Sequence, residues 1–480
     1  MIHENVDILC NELDKELKKR GLSRRDALKL AGIGTASFML NPTEMQAATR
    51  AEASDVKGKI VIVGGGAAGC SIASLLSKKI SNPDITIIEP NPQSVSYQPG
   101  QTLIAAGVWK KEDIMGDNVD YYPSSAKWIQ DSVKEFDPDK NSVITEKNGV
   151  IAYDILVVAT GLQLNYEEID GLSESVIGTN GIGSIYFADG AVKTWELMQE
   201  FVASAKSGKK VQGVFTHPNT PIKCGGAPKK IMNLTHARLV EAGARENAEL
   251  TFYPNGGSMF GVPEYHEAIV NQFKARDLKW NYKHNLVAVN PAKKIATFEH
   301  HFLEKGEWDA DLEEFTMIPR TKLVDVAYDF LHVTPPMSAP DVVKNSPLSW
   351  KRGSAAKGGW VEVEKETLQH TRYPNVFSLG DVAGIPMGKT GGSVRKQYTV
   401  AAQNIIDVLE KKKPSAKYGG YTVCPLITGL GTVMLAEFDW SKKPTPSFPL
   451  DPTQERWIWW ILKVYMLKPM YFHGMLTGRA

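Results

Sequence analysis

Apolar runs that end in glycine turns predict an α/β chain: two Rossmann-like dinucleotide-binding domains, the first discontinuous, followed by a smaller C-terminal unit. Three observations predict it. The β-branched run Lys59-Ile-Val-Ile-Val63 empties into Gly64-Gly65-Gly66-Ala-Ala-Gly69, and the next apolar run, Ile85-Thr-Ile-Ile, closes on Glu89. Two further runs end in turns of the same kind, Tyr153-Asp-Ile-Leu-Val-Val-Ala in Thr160-Gly161 and Tyr373-Pro-Asn-Val-Phe-Ser-Leu in Gly380-Asp381. Between them a second α/β unit opens with Lys209-Lys-Val-Gln-Gly-Val-Phe-Thr216.

Each glycine of the first turn has its own task. Gly64 makes the tight turn from strand to helix, Gly66 lets the backbone approach a pyrophosphate, and Gly69 lets the helix pack on the strand. The phosphate then rests on free N–H groups at a helix N-terminus, where the macrodipole favours anions. Glu89, at the end of the second strand, is placed to accept hydrogen bonds from an adenosine ribose. This pattern does not separate FAD from NAD. The three motifs in this order resemble two-dinucleotide-domain flavoproteins, where the turn Thr160-Gly161 returns the chain to FAD and the aspartate of the last turn, Asp381, binds the ribityl chain. That resemblance implies FAD as the cofactor.

Residues 1–55 read as a targeting segment and linker, 58–165 as the first part of the FAD-binding domain, and 166–335 as the second domain. Residues 360–415 return to the FAD domain, and 416–480 form the C-terminal unit. Within the second domain, 209–216 is a strand, about 226–242 a helix, 249–253 the next strand and 325–334 an exit strand. Residues 303–324 are charged and aperiodic, and read as a surface insertion rather than an element. Where a phosphate-binding glycine turn should follow Thr216, the chain gives His217-Pro218-Asn-Thr-Pro221-Ile-Lys-Cys224-Gly-Gly-Ala-Pro228. Prolines and bulky side chains cannot cradle a pyrophosphate as glycines do, so a nicotinamide cofactor is not the expected electron donor.

A formal net charge of +1 argues against nucleic acid as a partner. The four cysteines, Cys10, Cys70, Cys224 and Cys424, form no Cys-x-x-Cys spacing, so zinc ribbons, iron–sulfur clusters and covalent haem are not expected and no metal is assigned. Ser23-Arg24-Arg25, a weakly apolar segment at 30–40 and Ala51-Glu-Ala53 follow the order of a twin-arginine (Tat) export signal, with Ala27 in place of the usual aromatic. This predicts a periplasmic protein. Residues 455–472 gather Trp457, Trp459 and Trp460 among Lys463, Lys468 and Pro469. The apolar run is too short to cross a bilayer, and its aromatic-lysine pattern suits a helix lying in the interface, so the C-terminal unit is read as docking on the inner membrane. A C-terminal helix packed on its own domain is the competing reading.

Cys224 sits just before a helix that starts near Gly226, with Lys223, Lys229 and Lys230 close in sequence. A thiol at a helix N-terminus among cations loses its proton more easily and becomes a nucleophile. An inert buried cysteine is the bland reading; the position of Cys224, where NAD would otherwise bind, favours the reactive one.

Four long segments now bear on the family: Phe215-Thr-His-Pro-Asn-Thr-Pro-Ile-Lys-Cys224-Gly-Gly-Ala-Pro-Lys-Lys-Ile, Leu331-His-Val-Thr-Pro-Pro-Met-Ser-Ala-Pro-Asp, Glu366-Thr-Leu-Gln-His-Thr-Arg-Tyr-Pro-Asn-Val-Phe and Thr428-Gly-Leu-Gly-Thr-Val-Met-Leu-Ala-Glu-Phe-Asp. They closely resemble sulfide:quinone oxidoreductases of the mitochondrial-like branch, over about residues 58–478. The resemblance implies oxidation of sulfide at a cysteine pair, departure of the sulfur as persulfide or polysulfide, and transfer of two electrons through FAD to a membrane quinone. Cys224 matches the first catalytic cysteine. In that branch the second directly follows the Gly-Asp motif, a position held here by Val382. Other branches, among them the flavoprotein subunit of flavocytochrome c sulfide dehydrogenase, place it in a strand near the C-terminal unit, where this chain has Cys424; Cys424 is the candidate partner. Lys389 matches a lysine beside the flavin, where a cation stabilises the reduced ring. Tyr97-Gln-Pro-Gly resembles a loop next to the isoalloxazine. The partners implied are sulfide, quinone and a membrane surface, with a homo-oligomer left open. A sulfide dehydrogenase donating to a cytochrome, a type II NADH dehydrogenase and a non-catalytic persulfide-binding flavoprotein stand as rivals.

Overall fold

The computed structural model describes residues 14–15, 17–19, 21–23, 53–309 and 311–479. Five parallel strands form the first sheet, in the order Val376–Ser378, Ile155–Val158, Lys59–Val63, Asp84–Ile88 and Ala126–Ile129. The inner three are apolar without alternation because both faces are covered. Register explains why distant motifs meet. Val63 lies opposite Ile88 on one side and Val158 on the other, and Val158 lies opposite Ser378. The residues that follow, Gly64, Glu89, Thr160 and the turn Gly380–Val382, therefore emerge along one edge of the sheet, above the N-terminus of the helix Ala67–Lys79.

The second sheet is also parallel: Ile182–Gly183, Phe330–His332, Val211–His217, Ala248–Pro254 and Lys279–Trp280. The helix Ala227–Glu241 packs on it, opening with Pro228 in its first turn. Two sequence expectations change here. The exit strand is only Phe330–His332, and residues 325–327 belong elsewhere. The stretch read as an irregular insertion is a long antiparallel hairpin, Ile295–Asp309 with Glu314–Ala327. Its alternation is hidden in the sequence because both faces of its outer half meet solvent and a bulge between Lys305 and Trp308 shifts the period.

The C-terminal unit pairs Thr422–Gly429, Thr432–Phe438 and Glu455–Arg456, then runs into a helical tail that alternates α and wider π turns from Trp457 to Met475. This tail packs inward. Tyr471 donates from its hydroxyl to the Ser96 carbonyl at 3.0 Å, and a Cβ at Gly478 would stand 2.7 Å from the backbone nitrogen of Leu75 in the first domain. Lys463 and Lys468 are buried, which corrects their reading as interfacial lysines. Trp459 is buried too, while Trp457, Trp460, Leu462 and Tyr465 are half-buried. At the other end of the chain, Leu17 is buried in the same apolar cluster as Trp459 and Leu103, with Leu22 packed against it. The twin arginines and the segment 30–40 lie outside the described residues. Among the described residues no helix is long and apolar enough to cross a membrane.

Candidate active site

The glycine edge has the shape of a dinucleotide cradle. Gly64 has φ +100°, and a Cβ there would stand 2.5 Å from the Ala159 carbonyl oxygen. At Gly69 a Cβ would come to 1.8 Å from the Gly64 carbonyl, the close helix–strand contact expected of the third glycine. Gly66 differs: a Cβ there would meet only the Ser94 carbonyl, at 3.6 Å, so nothing in the protein itself fills the space over this helix N-terminus. The Glu89 carboxylate accepts N–H groups of Gly65 at 2.8 Å and Asn91 at 2.9 Å, and burial raises its pKa. Thr160 keeps a buried hydroxyl with no partner, and beside it Gly161, at φ +71°, has open space where a Cβ would stand. An orphaned hydroxyl, an open helix N-terminus and an acid at the strand end fit an FAD.

The same edge leads to the cysteines. Cys224 holds φ +52°, a left-handed conformation uncommon outside glycine, stored just ahead of the helix Ala227–Glu241. Its N–H donates to the Lys389 carbonyl at 3.0 Å, and its carbonyl accepts the Ala227 N–H at 2.7 Å. Lys389 in turn donates to the backbone carbonyl of Asp381 at 2.5 Å and lies 3.5 Å from the Trp360 ring centre. Burial lowers its pKa to about 7. Lys389 thus ties Cys224 to the Gly380-Asp381 turn through two hydrogen bonds, although the two lie far apart in sequence.

Cys424, on the buried strand Thr422–Gly429, hydrogen-bonds to Cys224. A Cβ at Gly226 would stand 2.5 Å from the Cys424 sulfur, so a glycine here is what allows the strand to approach. The Cys424 S–H donating to Cys224 is the largest cause of the depressed Cys224 pKa, burial opposes it, and Lys230 adds to it. Cys424 is correspondingly raised. Lys230 Nζ lies 3.2 Å from the Cys224 sulfur and is also within hydrogen-bond reach of Cys424. Burial works against its charge, but the two sulfurs more than offset this and raise its pKa to about 12. The contact follows from helix geometry, since side chains in the first turn lean back over the residues that precede the helix.

Lys463 was missed as a site residue. It comes from the C-terminal tail, donates to the Pro99 carbonyl at 2.8 Å, lies 5.3 Å from the Tyr97 ring centre, and is lowered to about 7 by burial and then by Lys230. The signal was a charge inside an aromatic-apolar run, which fits a buried cation with partners as well as an interfacial one. The Tyr97-Gln-Pro-Gly loop joins it, with Gln98 accepting from Lys223 Nζ at 2.8 Å. The loop that replaces the second nucleotide turn is tied to protein: the Lys223 N–H reaches the Met337 sulfur at 3.3 Å, and Thr220 accepts the Met337 N–H at 3.0 Å.

Comparison with known proteins places the chain among flavin-dependent oxidoreductases. The family model described as pyridine nucleotide-disulphide oxidoreductase matches residues 58–188. The mitochondrial sulfide:quinone oxidoreductase of Mus musculus is 39% identical over 420 residues, covering 88% of this chain and 86% of that protein. That of Dictyostelium discoideum is 39% identical over 422 residues with the same coverage. The X-ray structure of the sulfide:quinone oxidoreductase from Aquifex aeolicus matches the fold with a TM-score of 0.67 at 21% identity, covering 88% of this chain and 92% of that one.

Proposed function

Because this chain belongs to the sulfide:quinone oxidoreductase family, we propose that it oxidises sulfide at the Cys224–Cys424 pair, with FAD along the glycine edge and membrane quinone as the final acceptor. The observation that carries this is a hydrogen-bonded, lysine-held cysteine pair standing where the second nucleotide turn would be. In the oxidised pair, hydrosulfide attacks Cys224, which is half-buried where Cys424 is buried. A sulfur–sulfur bond forms to Cys224, the bond between the cysteines breaks, and Cys424 leaves as a thiolate held by Lys230. A nucleophilic acceptor then takes the outer sulfur with its proton and releases Cys224 as a thiolate. The two thiolates close to the disulfide again by giving up an electron pair. FAD, when bound, supplies the two-electron carrier between this pair and quinone. Gly64, Gly66, Gly69, Glu89, Thr160, Gly161 and Asp381 would hold it, and Lys389 would place a cation beside it.

Anaerobic titration of the purified flavoprotein tests this reading. Sulfide should bleach the flavin band, NADH should not, and Cys224→Ser and Cys424→Ser should each abolish bleaching while keeping flavin bound, since serine offers no comparable nucleophile. Normal turnover in Cys424→Ser would falsify the pair. Reduction of cytochrome in place of quinone would favour the sulfide dehydrogenase reading.

Attachment to a membrane surface through half-buried Trp457, Trp460 and Leu462 belongs to the same proposal. Tat-type export to the periplasm rests on the sequence around Arg24-Arg25, whereas the named relatives are mitochondrial. Cleavage near Ala51–Ala53 would also remove Leu17 from the C-terminal cluster. N-terminal sequencing of the mature protein decides it: a start beyond residue 50 supports export, and an intact Leu17 rejects it.

A further inference from the structure

The N-terminal segment, read from sequence only as a targeting leader, ends in a fitted contact. Its residues 14–15 and 17–19 are helical, and Gly21 stops the helix at φ +67°, the left-handed conformation that glycine adopts freely. The Gly21 N–H donates to the Lys18 carbonyl at 3.0 Å, and the Leu22 N–H to the Leu17 carbonyl at 2.9 Å. This pair of bonds is a Schellman cap, in which the residue after the glycine commonly packs on the residue that accepts its N–H. The cap therefore sets Leu17 and Leu22 to one side. Leu17 is 1% exposed and Leu22 half-buried, while Asp14, Lys15, Lys18 and Lys19 are exposed.

Both leucines enter one apolar cluster, and that cluster holds residues from both sides of the Lys463 contact. From the tail come Ile458, Ile461 and Val464, at every third position and so on one helical face, the last of them adjoining Lys463. From the other side come Leu103 and Ala106, which follow Pro99, the residue whose carbonyl holds the Lys463 ammonium at 2.8 Å. The cluster thus clamps the two partners of that bond. A clamp is needed, because a buried amine is more stable in water and because the tail here winds in the wide turns of Leu462–Met466 instead of a regular helix. We propose, on the reading of Cys224 and Cys424 as the redox pair, that Leu17 to Leu22 form a strap that positions Lys463, holding tail against loop so that its cation stays beside the sulfurs. The strap acts on Cys224 only through this lysine, which lowers the thiol's pKa behind the Cys424 S–H and Lys230.

Alkylation of the reduced, flavin-loaded full chain by iodoacetamide across pH, with Cys224 followed by peptide mass, tests this. Lys463→Met should raise the pH midpoint by about half a unit, the scale of a cation that does not touch the sulfur. Leu17→Asp should raise it as much, and Leu17→Asp/Lys463→Met no further, because the two act in series. Removal of residues 1–23 and Gly21→Val should each repeat the Leu17→Asp shift. Leu17→Met, which keeps the volume, and Gly21→Asn, which tolerates the left-handed conformation, should keep the native midpoint. Flavin content should be native throughout. A native midpoint in Leu17→Asp or in Lys463→Met overturns the proposal, as does a Leu17→Asp shift that adds to that of Lys463→Met. Loss of flavin from Leu17→Asp overturns it in favour of a general structural brace. Sulfide that fails to bleach the wild-type flavin counts against the redox reading alone, with the strap still decided by these midpoints.

Discussion

Lys230 adds to the thiolate character of Cys224 behind the Cys424 S–H, because its ammonium lies 3.2 Å from the Cys224 sulfur. Lys230→Met should move the pH midpoint for alkylation of Cys224 by iodoacetamide upward by about one unit or more, while an unchanged midpoint would show that Cys424 alone sets it. Sequence motifs could name Cys224 and Cys424 separately. They could not show that Gly226 opens the contact between them, since that depends on how the strand Thr422–Gly429 lies against a helix start nearly two hundred residues earlier. Val382 was legible as a departure from the family pattern, and in the fold it is fully buried beside the Gly-Asp turn. Val382→Cys fits that space because the new side chain is smaller. Faster turnover would indicate that the turn position can join the relay, and an unchanged rate would leave the exchange with Cys424.

For the first helix, its three glycines separate binding from folding. Gly66→Val has room in the protein and should leave Tm nearly unchanged while stripping the flavin, because its bulk enters the pyrophosphate space. Gly69→Ala forces a Cβ against the Gly64 carbonyl and should lower Tm whether or not flavin is present. Thermal unfolding of both, with flavin content read from absorbance, checks the division; a Gly66→Val protein with full flavin would remove the cradle assignment. The buried parallel strands at 59–63, 84–88, 155–158, 211–217 and 248–254 were legible because they read as apolar runs, whereas the strands Ala126–Ile129, Ile182–Gly183 and Lys279–Trp280 were not read from the sequence. The hairpin at 295–327 was not, since solvent on both faces removes the alternation that marks a strand and its bulge breaks what remains.

Across the whole molecule, buried histidines set the acid limit. His332 is fully buried with neither ring nitrogen hydrogen-bonded, and burial lowers its pKa to about 3, as it does for His217. The unfolded chain takes up these protons first, near pH 6.5, so stability is full above that value and falls as pH drops towards 3. In the His332→Phe variant the loss of Tm between pH 6.5 and 4 should be shallower; an identical slope would mean that other groups govern it. Membrane attachment is best tested with Trp457→Glu/Trp460→Glu, which should shift the protein from the membrane to the soluble fraction with flavin retained. Removing 455–480 would instead take Met475 and Leu476 out of the core and expose the apolar surface they cover, which uncouples the effect from lipid. The inward turn of that tail has one more consequence. Lys463, which adds a cation to the surroundings of the sulfur pair, is delivered by the tail, so both cysteines and the whole glycine edge can be in place while the redox centre stays open on one side until the tail docks. Docking of the tail thereby becomes the step that closes the pocket, and a chain whose tail is undocked has cysteines without a finished pocket for them.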